Sequence, residues 1–205
     1  MTHILIIGYV WPEPNSSAAG SRMLQLIELF LQQQWQVTYA SPAAASEHGI
    51  DLEALGVSTV SITVNSSCFD HFVVQCAPDI VMYDRFIMEE QFGWRVEKHC
   101  PQALRILDTE DLHSLRHARH QALKQHRAMS QADLISDLAL REVASILRCD
   151  LALMISAVEI ELLRERFQVS DDLLHHCRFM LPAVDQQAQG QWPAFAHRQH
   201  FIAIG

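Results

Sequence analysis

Short apolar runs alternate with amphipathic stretches along most of the chain. Residues 3–8 (HILIIG), 36–41 (QVTYAS), 57–64 (VSTVSITV), 79–84 (DIVMYD), 104–109 (LRILDT), 151–156 (LALMIS) and 177–182 (CRFMLP) form seven such runs. Most are nearly continuous in apolar residues, which suits strands buried on both faces of a parallel sheet. Between them the period changes to that of a helix. Met23, Leu24, Ile27, Phe30 and Leu31 make one stripe, and Leu134, Ile135, Leu138, Val143, Ile146 and Leu147 make another over 131–148. Strand and helix in alternation predict an α/β fold: a Rossmann-like, doubly wound, mostly parallel sheet of about seven strands with helices on both faces.

The end of the chain departs from this rhythm. Residues 1–185 read as one domain and the Gln-rich, Gly- and Pro-containing stretch 186–199 as a linker. The closing 200–205 repeats the character of the opening strand and is expected to begin a second domain, the remainder of which is not in this sequence. The other reading is a last edge strand of the same sheet.

Composition narrows the functions open to such a fold. A net charge of −9 argues against nucleic acid as a partner, because phosphate backbones require a basic surface; residues 116–127 are a local exception. Five cysteines without a CxxC pair support neither a disulfide framework nor a zinc knuckle, and read as small hydrophobes in a reducing compartment. No run approaches a membrane span and no secretory signal opens the chain, so a cytoplasmic protein is expected, with peripheral membrane contact open.

In doubly wound sheets ligands bind at the carboxyl ends of the strands, so the loops there hold the candidate chemistry. The first loop, "GYVWPEPNSSAAGSRM", offers Asn15, Ser16, Ser17 and Gly20 to an anion at a helix start. An ordinary N-cap accounts for the same residues equally well. The loop lacks G-x-G-x-x-G, and the second strand ends without a ribose-binding acid, so a nicotinamide-dependent oxidoreductase fits poorly. The fifth run leads into Asp108, Glu110, Asp111 and His113, the densest polar cluster in the chain. Such a cluster suits acid–base work or the binding of sugar hydroxyls. The plainer alternative has Asp111 capping the next helix and the rest solvated. Arg85 follows the fourth run as an anion ligand or as the surface partner of Asp84, and Ser156 and Glu159 follow the sixth as ligands or as cap and first-turn acid. His113, His117 and His120 share a helical face, but the interleaved Arg116 and Arg119 repel a cation, so no metal is expected.

Taken in order, "SSAAGSRMLQLIELFLQQQWQVTYAS", "PDIVMYDRFIMEEQFGWRV", "LRILDTEDLHSLR", "CDLALMISAVEIELL" and "FIAIG" resemble the N-terminal domain of a GT-B fold glycosyltransferase, similar to glycosyltransferase family 4. The resemblance implies an acceptor-side domain facing a donor-binding domain across a cleft. It implies transfer of a sugar from a nucleotide-sugar, with retention and without metal or cofactor, to a sugar or glycoconjugate acceptor. It sets Gly20 near the donor diphosphate and His113 beside the transferred sugar, with Asp108, Glu110 and Asp111 orienting sugar or acceptor. Ser156 and Glu159 match the family's S-x-x-E. Complete members are about twice this long, so this stretch alone is expected to be inactive, and its uncovered surface leaves self-association open. The alternative is a non-catalytic Rossmann-like module that recruits a partner.

Overall fold

A computed structural model describes residues 1–180, 192–197 and 199. Seven parallel strands form one sheet in the order β3-β2-β1-β4-β5-β6-β7. They are β1 (His3–Ile7), β2 (Gln36–Ser41), β3 (Ser58–Ser61), β4 (Ile80–Asp84), β5 (Leu104–Asp108), β6 (Leu151–Met154) and β7 (Leu174–His176). Helices α1 (Ala18–Gln32), α2 (Cys68–Cys76), α3 (Phe86–His99), α4 (His113–Lys124), α5 (Asp137–Arg148) and α6 (Ala157–Phe167) connect them. The chain winds outward from β1 in one direction, then returns and winds outward from β4 in the other. The order therefore reverses between β1 and β4, where the two outgoing loops part and leave a crevice.

The expected α/β sheet is present, but its two faces are covered unequally. On one side α1 sets Met23, Leu26 and Ile27 against Ile4, Ile6, Tyr39 and Met82. On the other, α2 to α6 contribute Phe69, Val73, Phe92, Leu115, Ile146 and Leu163 to a larger core with Leu5, Ile7, Val81, Tyr83 and Leu107. Right-handed crossovers require this division, since a reversal of winding direction carries the connecting helix to the opposite face.

Two elements differ from the pattern read along the chain. The stripe over 131–148 is two pieces: a 3₁₀ turn at Gln131–Leu134, then α5, whose N-cap Ser136 accepts a hydrogen bond from the Ala139 amide at 3.2 Å. Ile135 and Leu147 consequently face solvent. The seventh strand is Leu174–His176; of the expected run 177–182, the Cys177 amide still donates to the Met154 carbonyl at 2.8 Å, the chain to Met180 then crosses the face that α1 covers, and 181–182 lie outside the described residues. Adjacent His175 and His176 thus lie on a strand, pointing to opposite faces. Of the five cysteines, all free, only Cys149 is fully buried and Cys68 is exposed. Among the described residues no helix is long and apolar enough to cross a membrane. Half of the expected linker over 186–199 and all of the expected strand 200–205 lie outside the described residues.

Candidate functional site

The crevice is built by the segments leaving β1, β4 and β5. At the first, Ser17 caps α1 by accepting from the Gly20 amide at 3.0 Å, while Asn15 and Ser16 are exposed. Gly20 is not bare for a ligand: a Cβ there would come within 2.5 Å of the Glu13 backbone. The glycine lets the Pro-rich loop fold back on its own helix, and the space left beside it is about 20 Å3, room for one water. Gly20→Ala should therefore displace the loop and cost about 1–3 kcal/mol, as overpacking does. The readout is a lower thermal midpoint with faster proteolysis between Tyr9 and Ser17, and a wild-type midpoint would refute the packing role.

At the second and third segments two residues other than glycine take positive φ. Arg85 lies at φ 72°, ψ 154°, directly after β4, and Glu110 at φ 62°, two residues after β5. Their strands are in register, Asp84 opposite Asp108, and the Arg85 amide donates to the Asp108 carbonyl at 2.8 Å. Such conformations cost of order 1–3 kcal/mol each and gather where side chains must be aimed. Here they aim Arg85 and Glu110 into the crevice from neighbouring strand ends.

The acids there are buried and partly unpaired. Asp84, 4% exposed, accepts from the Tyr9 amide at 3.1 Å through Oδ2, while Oδ1 lies 3.5 Å from the Arg85 Nε and has no hydrogen-bond partner among the described residues. Burial pushes its carboxyl up to about 6 against the opposing pull of Arg85. Glu110, 8% exposed, has its buried Oε1 without a hydrogen-bond partner among the described residues. Burial first, then the charges of Asp108 and Asp84, push its carboxyl up to about 8. At neutral pH Glu110 is therefore held largely protonated, able to donate as well as accept a hydrogen bond.

Asp108 behaves differently. It is 0% exposed and receives Arg22 of α1 at 2.9–3.2 Å through Nη2 and Nε. Burial raises the Asp108 carboxyl and Arg22 draws it back. For Arg22 burial works downward, and the charge and hydrogen bonds of Asp108 more than offset it. Arg22 also donates from Nη1 to the Cys177 carbonyl at 2.8 Å, tying down the segment that leaves β7. Asp108, expected to orient the sugar or acceptor, is thus sealed beneath the crevice with its carboxylate held by Arg22.

The segment after β5 is fastened by acids from two other helices. Glu142 of α5 accepts from the amides of His113 and Ser114 at 2.7 and 2.8 Å, and Glu159 of α6 accepts from the Leu112 amide at 3.3 Å. These two carboxylates cap α4. Asp111 does not; it lies 3.4 Å from Arg116 and 3.6 Å from His113. The reading of Asp111 as a cap, with its neighbours solvated, is thus replaced. Ser156 caps α6 through the Glu159 amide at 3.4 Å, so Ser156 and Glu159 together hold a loop. His113 packs edge-on against Phe86 at 5.5 Å, and burial, then the charge of Arg116, lowers its pKa. Both effects favour its neutral imidazole over the charged form.

Sequence reasoning missed Arg22 and Glu142. Both lie on the core-facing side of their helices, Arg22 one turn before Leu26 and Glu142 between Ala139 and Ile146. It also missed an open groove of about 350 Å3 between the loop after β1, the segment 45–53 that follows β2, and β3. Trp11, Asp51, Glu53, Thr59 and Ser61 are among its walls. An aromatic face beside carboxylates and hydroxyls is suited to a sugar, which has apolar C–H faces and hydroxyl edges.

Neither a protein-family profile nor a curated protein matches the chain. Solved structures do. The apo form of the lipopolysaccharide outer core galactosyltransferase WaaB matches over 85% of this chain and 44% of its own, at 13% identity and a TM-score of 0.55. Sucrose-phosphate synthase from Thermosynechococcus elongatus matches over 95% of this chain and 54% of its own, at 14% identity and 0.57. A protein assigned as a UDP-N-acetylglucosamine 2-epimerase from Listeria monocytogenes matches over 85% and 44%, at 11% and 0.50. The chain thus spans about half the length of the proteins it matches, and what it shares with them is the Rossmann-like fold of one GT-B half.

Proposed function

We propose, from this GT-B-like fold and the crevice it carries, that the chain is the acceptor-side half of a nucleotide-sugar-dependent glycosyltransferase. The observation that carries the reading is the pair of buried, under-bonded carboxylates, Asp84 and Glu110, with Arg85 at the switch point of the sheet. Protonated Glu110 suits a hydroxyl or ring oxygen, ionised Asp84 accepts from a hydroxyl, and Arg85 suits an anionic group. The Trp11 groove supplies the surface for the acceptor sugar.

In the reaction so read, the bond from the sugar's anomeric carbon to the donor's diphosphate oxygen breaks. A bond to the acceptor hydroxyl forms on the same face, and the hydroxyl proton leaves with the diphosphate. The nucleotide would be held chiefly by a second domain outside these 205 residues, in keeping with the family 4 resemblance, and these residues by themselves would not turn over. Neutral His113 would line the sugar site, donating or accepting one hydrogen bond.

Titration of the chain separates this from its rivals. UDP- and GDP-sugars should bind no tighter than about millimolar, whereas oligosaccharides on a glycan array should be retained and lost in Glu110→Ala, which removes both donor and acceptor. A nucleotide-sugar Kd in the micromolar range would overturn the division of labour.

A further inference from the structure

Helix α4 has the opposite charge to its chain. Residues 113–127 contain Arg116, Arg119, Lys124 and Arg127 with four histidines and no carboxylate, in a protein of net charge −9. His113, Arg116, His117 and His120 fall at i, i+3, i+4 and i+7, which brings them to one helix face. With Leu138 of α5 they line an open groove of about 350 Å3. Like charges at these spacings repel, so a cluster of this kind opposes the helix that carries it.

The carboxylates on neighbouring elements neutralise it only in part, Asp111 being the one that meets both Arg116 and His113. Glu142 and Glu159 are buried and spent on the backbone amides of His113, Ser114 and Leu112. Asp133 is taken up by Arg127 in a two-pronged pair at 2.6 Å. Asp137 begins α5 beside Leu138, and Asp111 lies 3.4 Å from Arg116 Nε. Arg116 remains largely exposed, and His117 and His120 are exposed.

We propose that this groove binds a phosphate group. One guanidinium and three imidazoles offer N–H donors around a common space, which matches a tetrahedral, multiply charged oxyanion better than a single planar carboxylate. The groove's size admits a phosphate ester or a pyrophosphate, and Leu138 gives the carrier of that phosphate one apolar contact. The proposal goes beyond the transferase reading and does not depend on it. The same chemistry is offered by a soluble phosphate ester and by the headgroup of an anionic lipid.

Calorimetric titration of inorganic pyrophosphate into the whole chain, paired with sedimentation on phosphatidylglycerol vesicles, tests the site and identifies the source. Arg116→Ala/His120→Ala should weaken the bound probe at least about tenfold, the scale of one lost charge-assisted contact, while Lys124→Ala on the same helix changes it less than about twofold. His120→Ala alone, checked for native circular dichroism, guards against misfolding of the double variant. Saturable pyrophosphate binding with this dependence supports the site and a soluble phosphate ligand. Vesicle binding with the same dependence and no displacement by pyrophosphate supports it with a lipid headgroup as the source. Binding of neither probe, or an equal loss in Lys124→Ala, overturns the proposal, the latter by reducing the effect to diffuse attraction.

Discussion

Arg22→Ala is expected to destabilise the fold by about 3–5 kcal/mol, the range for removing one partner of a buried ion pair. The pair is sealed: Arg22 and Asp108 are both 0% exposed, and their contacts run from 2.9 to 3.2 Å. Without Arg22, Asp108 becomes a buried carboxylate with Asp84 and Glu110 already acting on the same space. The chain from Cys177 onward also loses its anchor, since Arg22 donates to two carbonyls there and lies 6.0 Å from the Phe179 ring. Urea denaturation of Arg22→Ala and of Arg22→Met/Asp108→Leu separates the causes. The double variant should regain most of the loss, because two apolar side chains leave no charge to solvate. A loss below about 1 kcal/mol in Arg22→Ala would show that the pair is not structural.

Glu110→Gln should do the reverse, raising stability at high pH. Glu110 has a folded-state pKa of about 8, above the usual carboxylate range. A carboxyl whose pKa is raised by folding holds a proton that the unfolded chain releases, so the folded state binds more protons between roughly pH 4.5 and 8. Its contribution is therefore favourable at low pH and is lost as the pH rises through that window. Asp84, raised to about 6, adds the same slope between about 4 and 6. Glutamine keeps the shape and carries no charge. Glu110→Gln should leave stability at pH 5 nearly unchanged and raise it at pH 8.5 by about 1–3 kcal/mol, the cost of a buried unsatisfied polar group. In a domain of this size that is on the order of 2–12 °C in Tm. Equal Tm differences at both pH values would mean that Glu110 is not held protonated by the fold.

The fold was legible because of how parallel sheets bury their strands. Strands covered on both faces leave continuous apolar runs, so HILII, IVMYD and LALM read correctly without any neighbour in view. The reading failed where an apolar run does a different job. Past the Cys177 amide, which still donates to Met154 of β6, the carbonyls of Cys177 and Arg178 turn to Arg22 and the Met180 amide to Gln25. The stripe over 131–148 continued through Ile135 because period alone cannot register the cap at Ser136.

For the site the division is sharper. Sequence alone determined which loops matter, since strand ends follow from the strands, and it picked out Arg85, Glu110 and His113 as residues there. It could not assign their roles. Asp108 and Glu110 are two residues apart, yet one is locked to a guanidinium 86 positions away and the other has a buried oxygen with no hydrogen-bond partner among the described residues. The same holds for Gly20, whose missing Cβ makes room for Glu13 rather than for a ligand, and for Glu142 and Glu159, which cap a helix they do not belong to. Periodicity is a property of neighbours along the chain, and it carries the fold. A carboxylate's charge state and reach depend on what folding brings around it from distant segments, so only the tertiary structure decided which acids hold the molecule together and which face the crevice.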